Sequence, residues 1–314
     1  MARAFIFPGQ GSQAVGMGKA LADTYAEARA VFAEVDEALG QKLSHLMFEG
    51  PEADLTLTAN AQPALMAVSL AVTRVLEARA GLDLATHAKF IAGHSLGEYS
   101  ALAAAGTFSI ADTARLLRLR GDAMQKAVPV GEGAMAALLG ADYATGVAIA
   151  EEAAQGQVCQ IANDNGGGQV VASGHKAAVE RAMEIAKAKG IKRAILLPVS
   201  APFHCALMQP AADAMAEALA KVMMKVPCVP LVANVLASPV SDPEAIRRHL
   251  VEQVTGTVRW AESIAYMARE GIDSFYELGT GKVLSGLVKR ITDTATGTAI
   301  NSPADIDAFA ALPK

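Results

Sequence analysis

The pentapeptide Gly93-His94-Ser95-Leu96-Gly97 has the residue types and spacing of a serine nucleophile. A G-x-S-x-G run works where a short strand turns sharply into a helix. The crowded backbone accepts only glycine on either side, the hydroxyl is lifted clear, and N–H groups at the helix start are left free for an oxyanion. The flanking sequence suits this: Lys89–Ala92 reads as a short buried strand and Leu96–Ala105 as an alanine-rich helix. The Leu96 N–H is then one oxyanion donor; a structural turn serine is the alternative. A serine hydroxyl also needs a base. Six histidines are available. His94 should point away from Ser95 across the turn. His175 begins a helix, and His45, His87 and His249 stand in polar surroundings. His204 follows a strand and precedes a helix, where α/β folds place their sites; a capping or core histidine is the alternative. No acid in a clear motif completes a Ser-His-Asp triad. The third member only has to fix the imidazole tautomer, and a main-chain carbonyl suffices, so a Ser-His dyad is adequate.

These residues need a scaffold. The 314 residues correspond to about two domains. Hydrophobic residues make up 52% and charged residues 19%, which excludes intrinsic disorder. Net charge is -5, which argues against nucleic acid as the partner. Mean hydropathy is +0.29. Yet the longest uncharged stretch, Ala194–Ala212, contains three prolines and is a poor membrane span. Met1–Phe7 lacks the apolar region of a signal peptide. Cys159, Cys205 and Cys228 have no metal spacing. A cytoplasmic protein with reduced thiols and no metal is expected.

Short apolar runs alternate with longer helical stretches, which indicates α/β. Arg3–Phe7 reads as a strand; Thr24–Leu39, Gln62–Arg79 and Ile110–Ala127 read as helices. From about residue 130 the order is strand 134–139, helix 143–154, strands 158–162 and 169–172, helix 175–189, strand 193–197. This β-α-β-β-α-β order is ferredoxin-like. Residues 129–197 are therefore expected as an inserted domain, with 1–128 and 198–314 forming the large one. A helix is expected over Cys205–Val222, strands over Val229–Asn234 and Ser274–Leu278, and a helix over Lys282–Ile291.

Several motifs together resemble the malonyl-CoA:acyl carrier protein transacylases. They are Phe7-Pro8-Gly9-Gln10-Gly11-Ser12-Gln13, Gly93 through Ala101, Leu119-Arg120-Gly121, Pro198-Val199-Ser200 with Phe203-His204, and Glu277 through Leu284. The resemblance implies an α/β-hydrolase-like large domain with an inserted ferredoxin-like small domain. It implies that Ser95 carries a malonyl ester and His204 shuttles the proton. The N–H groups of Gln10 and Leu96 would form the oxyanion hole, and the Gln253 carbonyl would orient the histidine. Arg120 would bind the malonyl carboxylate, which suits the chemistry, since a guanidinium holds a carboxylate through two parallel hydrogen bonds. Arg115 and Arg118 share its helix, and neither precedes the motif glycine. Phe203 would disfavour a methyl-branched acyl group, and Gln62 and Asn163 would line the pocket. The Gly166-Gly167-Gly168 turn departs from the usual family turn, and no G-x-x-x-x-G-K-[ST] phosphate loop is present.

The partners implied are malonyl-CoA and the phosphopantetheine thiol of acyl carrier protein, with no cofactor, no nucleic acid, no membrane, and the chain acting as a monomer. A serine hydrolase or thioesterase on the same fold is the first alternative, and a non-catalytic carrier-protein scaffold the second. Both implied substrates are anionic, so an acidic enzyme needs local basic patches. Lys187, Lys189, Lys192 and Arg193 are one candidate, with a solvated helix end as the alternative.

Overall fold

The computed structural model describes residues 2–199 and 201–312. Ser200, part of one motif above, lies outside them. The strands in chain order begin with β1 (Arg3–Phe7) and β2 (Phe90–Gly93). The middle of the chain adds β3 (Gly133–Leu139), β4 (Cys159–Asp164), β5 (Gln169–His175) and β6 (Arg193–Leu196). The rest are β7 (Leu231–Ala233), β8 (Ser238–Val240), β9 (Val258–Arg259), β10 (Ser274–Leu278) and β11 (Thr296–Ile300).

Two sheets result. The larger runs β11-β10-β1-β2-β7-β8, parallel except for the β7–β8 pair. β1 and β2 are buried on both faces, which is why they read as continuous apolar runs. Sites in open parallel sheets form beyond the carboxyl ends of the strands. Here β1 runs into Pro8-Gly9-Gln10, β2 into His94-Ser95, and β7 into Asn234. The helix Ile110–Ala127 covers this end. Its buried stripe includes Thr113, Leu117, Arg120 and Met124, so Arg120 occupies a core position of an amphipathic helix. Arg115 instead pairs with Asp112 at the surface, and Arg118 bonds to Asn60 and Gln41.

The smaller sheet runs β6-β3-β5-β4-β9. β6, β3, β5 and β4 pair antiparallel in the ferredoxin-like order, with helices Tyr143–Ala154 and Lys176–Ala188 over an apolar cluster of their own. β9 was not expected. It comes from beyond the middle segment and pairs parallel with β4 at Asn163↔Val258, just after a register shift between Ile161 and Asn163. The two sheets are linked here by a backbone hydrogen bond, from Arg259 N in β9 to the Asn234 carbonyl just after β7. Of the basic run, Lys189 is paired with Glu152 at 3.0 Å and Arg193 opens the edge strand β6.

The helix expected over Cys205–Val222 begins later. Ala206–Met208 is a 3-10 turn and the α-helix spans Gln209–Leu219. The helices Pro243–Thr255 and Trp260–Arg269 are additional. Among the described residues no helix is long and apolar enough to cross a membrane.

Candidate active site

The turn at Ser95 is enforced by its glycines. A Cβ on Gly93 would stand 1.9 Å from the carbonyl carbon and oxygen of Gly97. A Cβ on Gly97 would stand 2.3 Å from the Phe7 carbonyl oxygen. The close approach forces Ser95 to φ 53°, a left-handed conformation held at a cost for a non-glycine residue. Asn234 compensates from the end of β7. Its Oδ1 accepts the Ser95 N–H at 2.8 Å and its Nδ2 donates to the Gly93 carbonyl at 2.7 Å. Gly93→Ala is therefore expected to destabilise the fold by roughly 3 kcal/mol or more, through forced overpacking at the elbow. Gly286→Ala, a helical glycine with open space around it, should be neutral or slightly stabilising. Thermal unfolding of the two variants checks the contrast.

Ser95 Oγ lies 2.7 Å from His204 Nε2. His204 is buried, and its backbone also has positive φ, at 58°. Its Nδ1 lies 2.8 Å from the main-chain carbonyl of Gln253. That carbonyl can only accept, so Nδ1 carries the proton and Nε2 is left free to accept from the serine. Burial drives the His204 pKa down to about 3, and the Arg120 charge pushes the same way. A helix dipole is not the cause, because the α-helix starts only at Gln209.

Arg120 is 1% exposed. Its Nη1 donates to Gln62 Oε1 at 2.8 Å; its Nη2 donates to Gln253 Oε1 at 2.8 Å and to Ser95 Oγ at 3.2 Å. The guanidinium stands over the Tyr99 ring, 5.8 Å from its centroid. Among the described residues no carboxylate pairs with it, and burial lowers its pKa. A desolvated cation with neutral partners, in contact with a nucleophilic oxygen, is a site for an anion.

Ser95, His204, Arg120, Gln10, Leu96, Gln62, Asn163 and Phe203 all line one cavity of about 390 Å³. Met124, Met135 and Leu197 supply its apolar wall. The N–H groups of Gln10 and Leu96 have no protein partner among the described residues, as an oxyanion hole requires. Gln253 stands behind the cavity, fully buried. A second cavity, about 460 Å³, shares Gln10, His94, Asn163 and Leu197 with the first and carries Lys282 and Arg290. His94 does turn away from Ser95: its Nε2 lies 2.9 Å from Asn165 Oδ1, with its ring against Trp260.

Sequence reasoning missed Glu98, Asn234 and Thr58. Glu98 is 1% exposed and accepts from Asn234 N at 2.6 Å and from Gln253 Nε2. Gln253 Nε2 also reaches the Ser95 carbonyl at 2.9 Å. Burial pushes the Glu98 carboxyl up to about 8, against the pull of its two donors and of Arg120. One buried carboxyl group thus ties together the elbow helix, the end of β7 and the residue that orients His204. Its sequence signals were an acid inside an otherwise apolar helix start and its place in the Gly93–Ala101 motif.

The family model of the acyl transferase domain matches residues 4–299. The chain belongs to this family. It is 50% identical over 300 residues to the malonyl CoA-acyl carrier protein transacylase of Escherichia coli strain K12, covering 96% of each chain. The crystal structure of acyl-carrier-protein-S-malonyltransferase from Bartonella henselae superposes with TM-score 0.96 at 59% identity, covering 98% of each chain. A type II PKS acyl-carrier protein in complex with its malonyl-transacylase matches with TM-score 0.95 at 43% identity, over 98% of this chain and 99% of that one. Acyl transferases thus share this chain's sequence and fold throughout.

Proposed function

We propose that this chain is a malonyl-CoA:acyl carrier protein malonyltransferase working through a malonyl-Ser95 ester. The observation that carries the reading is the buried Arg120 guanidinium 3.2 Å from the Ser95 hydroxyl. In malonyl the carboxylate is separated from the acyl carbonyl by one methylene. An acyl group on Ser95 therefore holds its carboxylate within reach of that cation. The malonyl transacylase names of the relatives support the same substrate. The neighbour bound to its acyl-carrier protein supports the acceptor.

In the first half-reaction Ser95 Oγ attacks the thioester carbonyl and its proton passes to His204 Nε2. The tetrahedral oxyanion rests on the N–H groups of Gln10 and Leu96. The C–S bond then breaks, and His204 returns the proton to the departing CoA thiolate. In the second half, His204 takes the proton of the phosphopantetheine thiol. The sulfur attacks the ester, the C–O bond breaks, and the proton goes back to Ser95 Oγ. Gln253 holds the imidazole, and Phe203, Gln62 and Asn163 shape the acyl pocket. No metal or redox cofactor takes part. Residues 1–128 and 198–314 form the catalytic domain and 129–197 the inserted one, and the enzyme works as a cytoplasmic monomer.

Mixing the protein with malonyl-CoA should release about one CoA per active site, in keeping with a ping-pong acyl-enzyme. Release should then stall until carrier protein is added. Steady release without an acceptor would instead mark a hydrolase, and failure of Ser95 to load would defeat the reading. The pH profile is a separate check. With a pKa of about 3, His204 is neutral and competent at pH 5 and above. The acid limb of kcat/KM should therefore fall below pH 5, and a limb near 6.5 would contradict it. The same depression leaves the folded state with fewer protons than the unfolded chain between about pH 3 and 6.5. Its contribution to stability is complete above 6.5 and is lost as pH falls toward 3.

A further inference from the structure

A string of hydrogen bonds runs from Arg120 to the oxyanion-hole loop. Arg120 Nη1 donates to Gln62 Oε1 at 2.8 Å, Gln62 Nε2 donates to Thr58 Oγ1 at 2.9 Å, and Thr58 Oγ1 donates to Gln10 Oε1 at 2.8 Å. The guanidinium sets the polarity. It can only donate, so the Gln62 oxygen must face it and the Gln62 amide N–H must face Thr58. The Thr58 oxygen then accepts, and its own proton is left for Gln10. Arg120, Gln62 and Thr58 are each 1% exposed, and Thr58 lies off the cavity, so its hydroxyl is not readily replaced by water.

The two ends of the string differ in rigidity. Gly121, next to Arg120, packs so tightly that an added Cβ would lie 2.6 Å from Ala59 Cα and 2.7 Å from the Thr58 carbonyl oxygen. Helices Thr58–Ala80 and Ile110–Ala127 are therefore locked together at the string's base. Gln10 instead sits on a turn with Gly11 at φ +105°. Side chains hold that turn at two points: Gln13 Oε1 accepts the Gly11 N–H at 2.7 Å, and Thr58 holds the Gln10 amide.

We infer that Thr58 is a positioning residue that couples capture of the acyl carboxylate by Arg120 to placement of the Gln10 oxyanion donor. This inference rests on the malonyltransferase reading above. Thr58 touches no substrate. Its hydroxyl carries the orientation fixed at Arg120 to the loop that must meet the tetrahedral intermediate. A carboxylate that engages Arg120 therefore acts on the oxyanion hole through this string.

The test is Thr58→Val, which keeps the shape and removes the hydroxyl, with Thr58→Ala as a second deletion should valine at this site not fold. Single-turnover loading by malonyl-CoA should fall about 10- to 100-fold in kcat with KM little changed, a fraction of what losing a whole oxyanion donor costs. Thr58→Ser should restore it. In an Arg120→Ala background the same deletion should cost less than about threefold, because the string has lost its fixed end. Loading within twofold of wild type would overturn the proposal. So would a purely KM effect, or an equal penalty in both backgrounds. Wild-type loading of Ser95 is the reference: if it fails, the malonyltransferase reading falls, whereas normal loading with an unaltered Thr58→Val falls on Thr58 alone.

Discussion

Ser95→Ala will give a folded protein that takes up no malonyl label and releases no CoA burst. The fold should survive because serine and alanine share the Cβ that sets backbone strain. The φ of 53° is imposed by Gly93, Gly97 and Asn234, not by the hydroxyl. What disappears is the atom that forms the ester. His204 then has no proton to take, and Arg120 loses one of its three acceptors. The turnover expected to remain comes from binding and the oxyanion hole alone, a loss of roughly 10⁴-fold or more. Intact mass after incubation with malonyl-CoA, with CoA release followed in parallel, reads the outcome. Labelling of the variant at the wild-type level would remove Ser95 from the mechanism.

The elbow was legible because its logic is local: strand, two glycines and helix fall within about fifteen residues. Arg120 was legible through its motif, and the structure adds a physical signal that needs no motif. The stripe Thr113, Leu117, Arg120, Met124 follows helical spacing, and arginine is the residue that does not belong in a core. The helix Pro243–Thr255 repeats the pattern, with Ile246, Leu250, Gln253 and Val254 buried. Its thin apolar stripe among Arg, His and Glu also explains why this helix was not read. Gln253 was expected for its carbonyl; its side chain, which holds Arg120, Glu98 and the Ser95 carbonyl, was not. Those contacts join residues 133, 155 and 158 positions apart, and no periodicity encodes them. β9 escaped for a related reason. Two residues carry no alternation, and their strand character comes from β4 alone. The late start of the helix after His204 accords with Pro210 in its first turn, a start signal present in the sequence.

Arg120→Ala tests what the enzyme recognises. The guanidinium is desolvated before any ligand arrives, and its partners are the neutral oxygens of Gln62, Gln253 and Ser95. A malonyl carboxylate supplies the missing charge, whereas an acetyl group leaves the cation uncompensated and should be a poor substrate for wild type. Truncating one member of such a buried pair costs about 2–5 kcal/mol. Malonyl loading should thus fall by roughly 30- to 5,000-fold. Acetyl loading should fall much less, or rise, so the preference collapses. The same substitution removes one of the three causes that hold the His204 pKa down, the others being burial and His94. The acid limb of the variant's pH profile should accordingly move to higher pH, though not to 6.5, since burial remains. A lost preference with an unmoved limb would leave the clamp standing and deny its electrostatic hold on His204. An unchanged preference for malonyl would mean the carboxylate is recognised elsewhere, and the buried cation beside Ser95 would need another purpose.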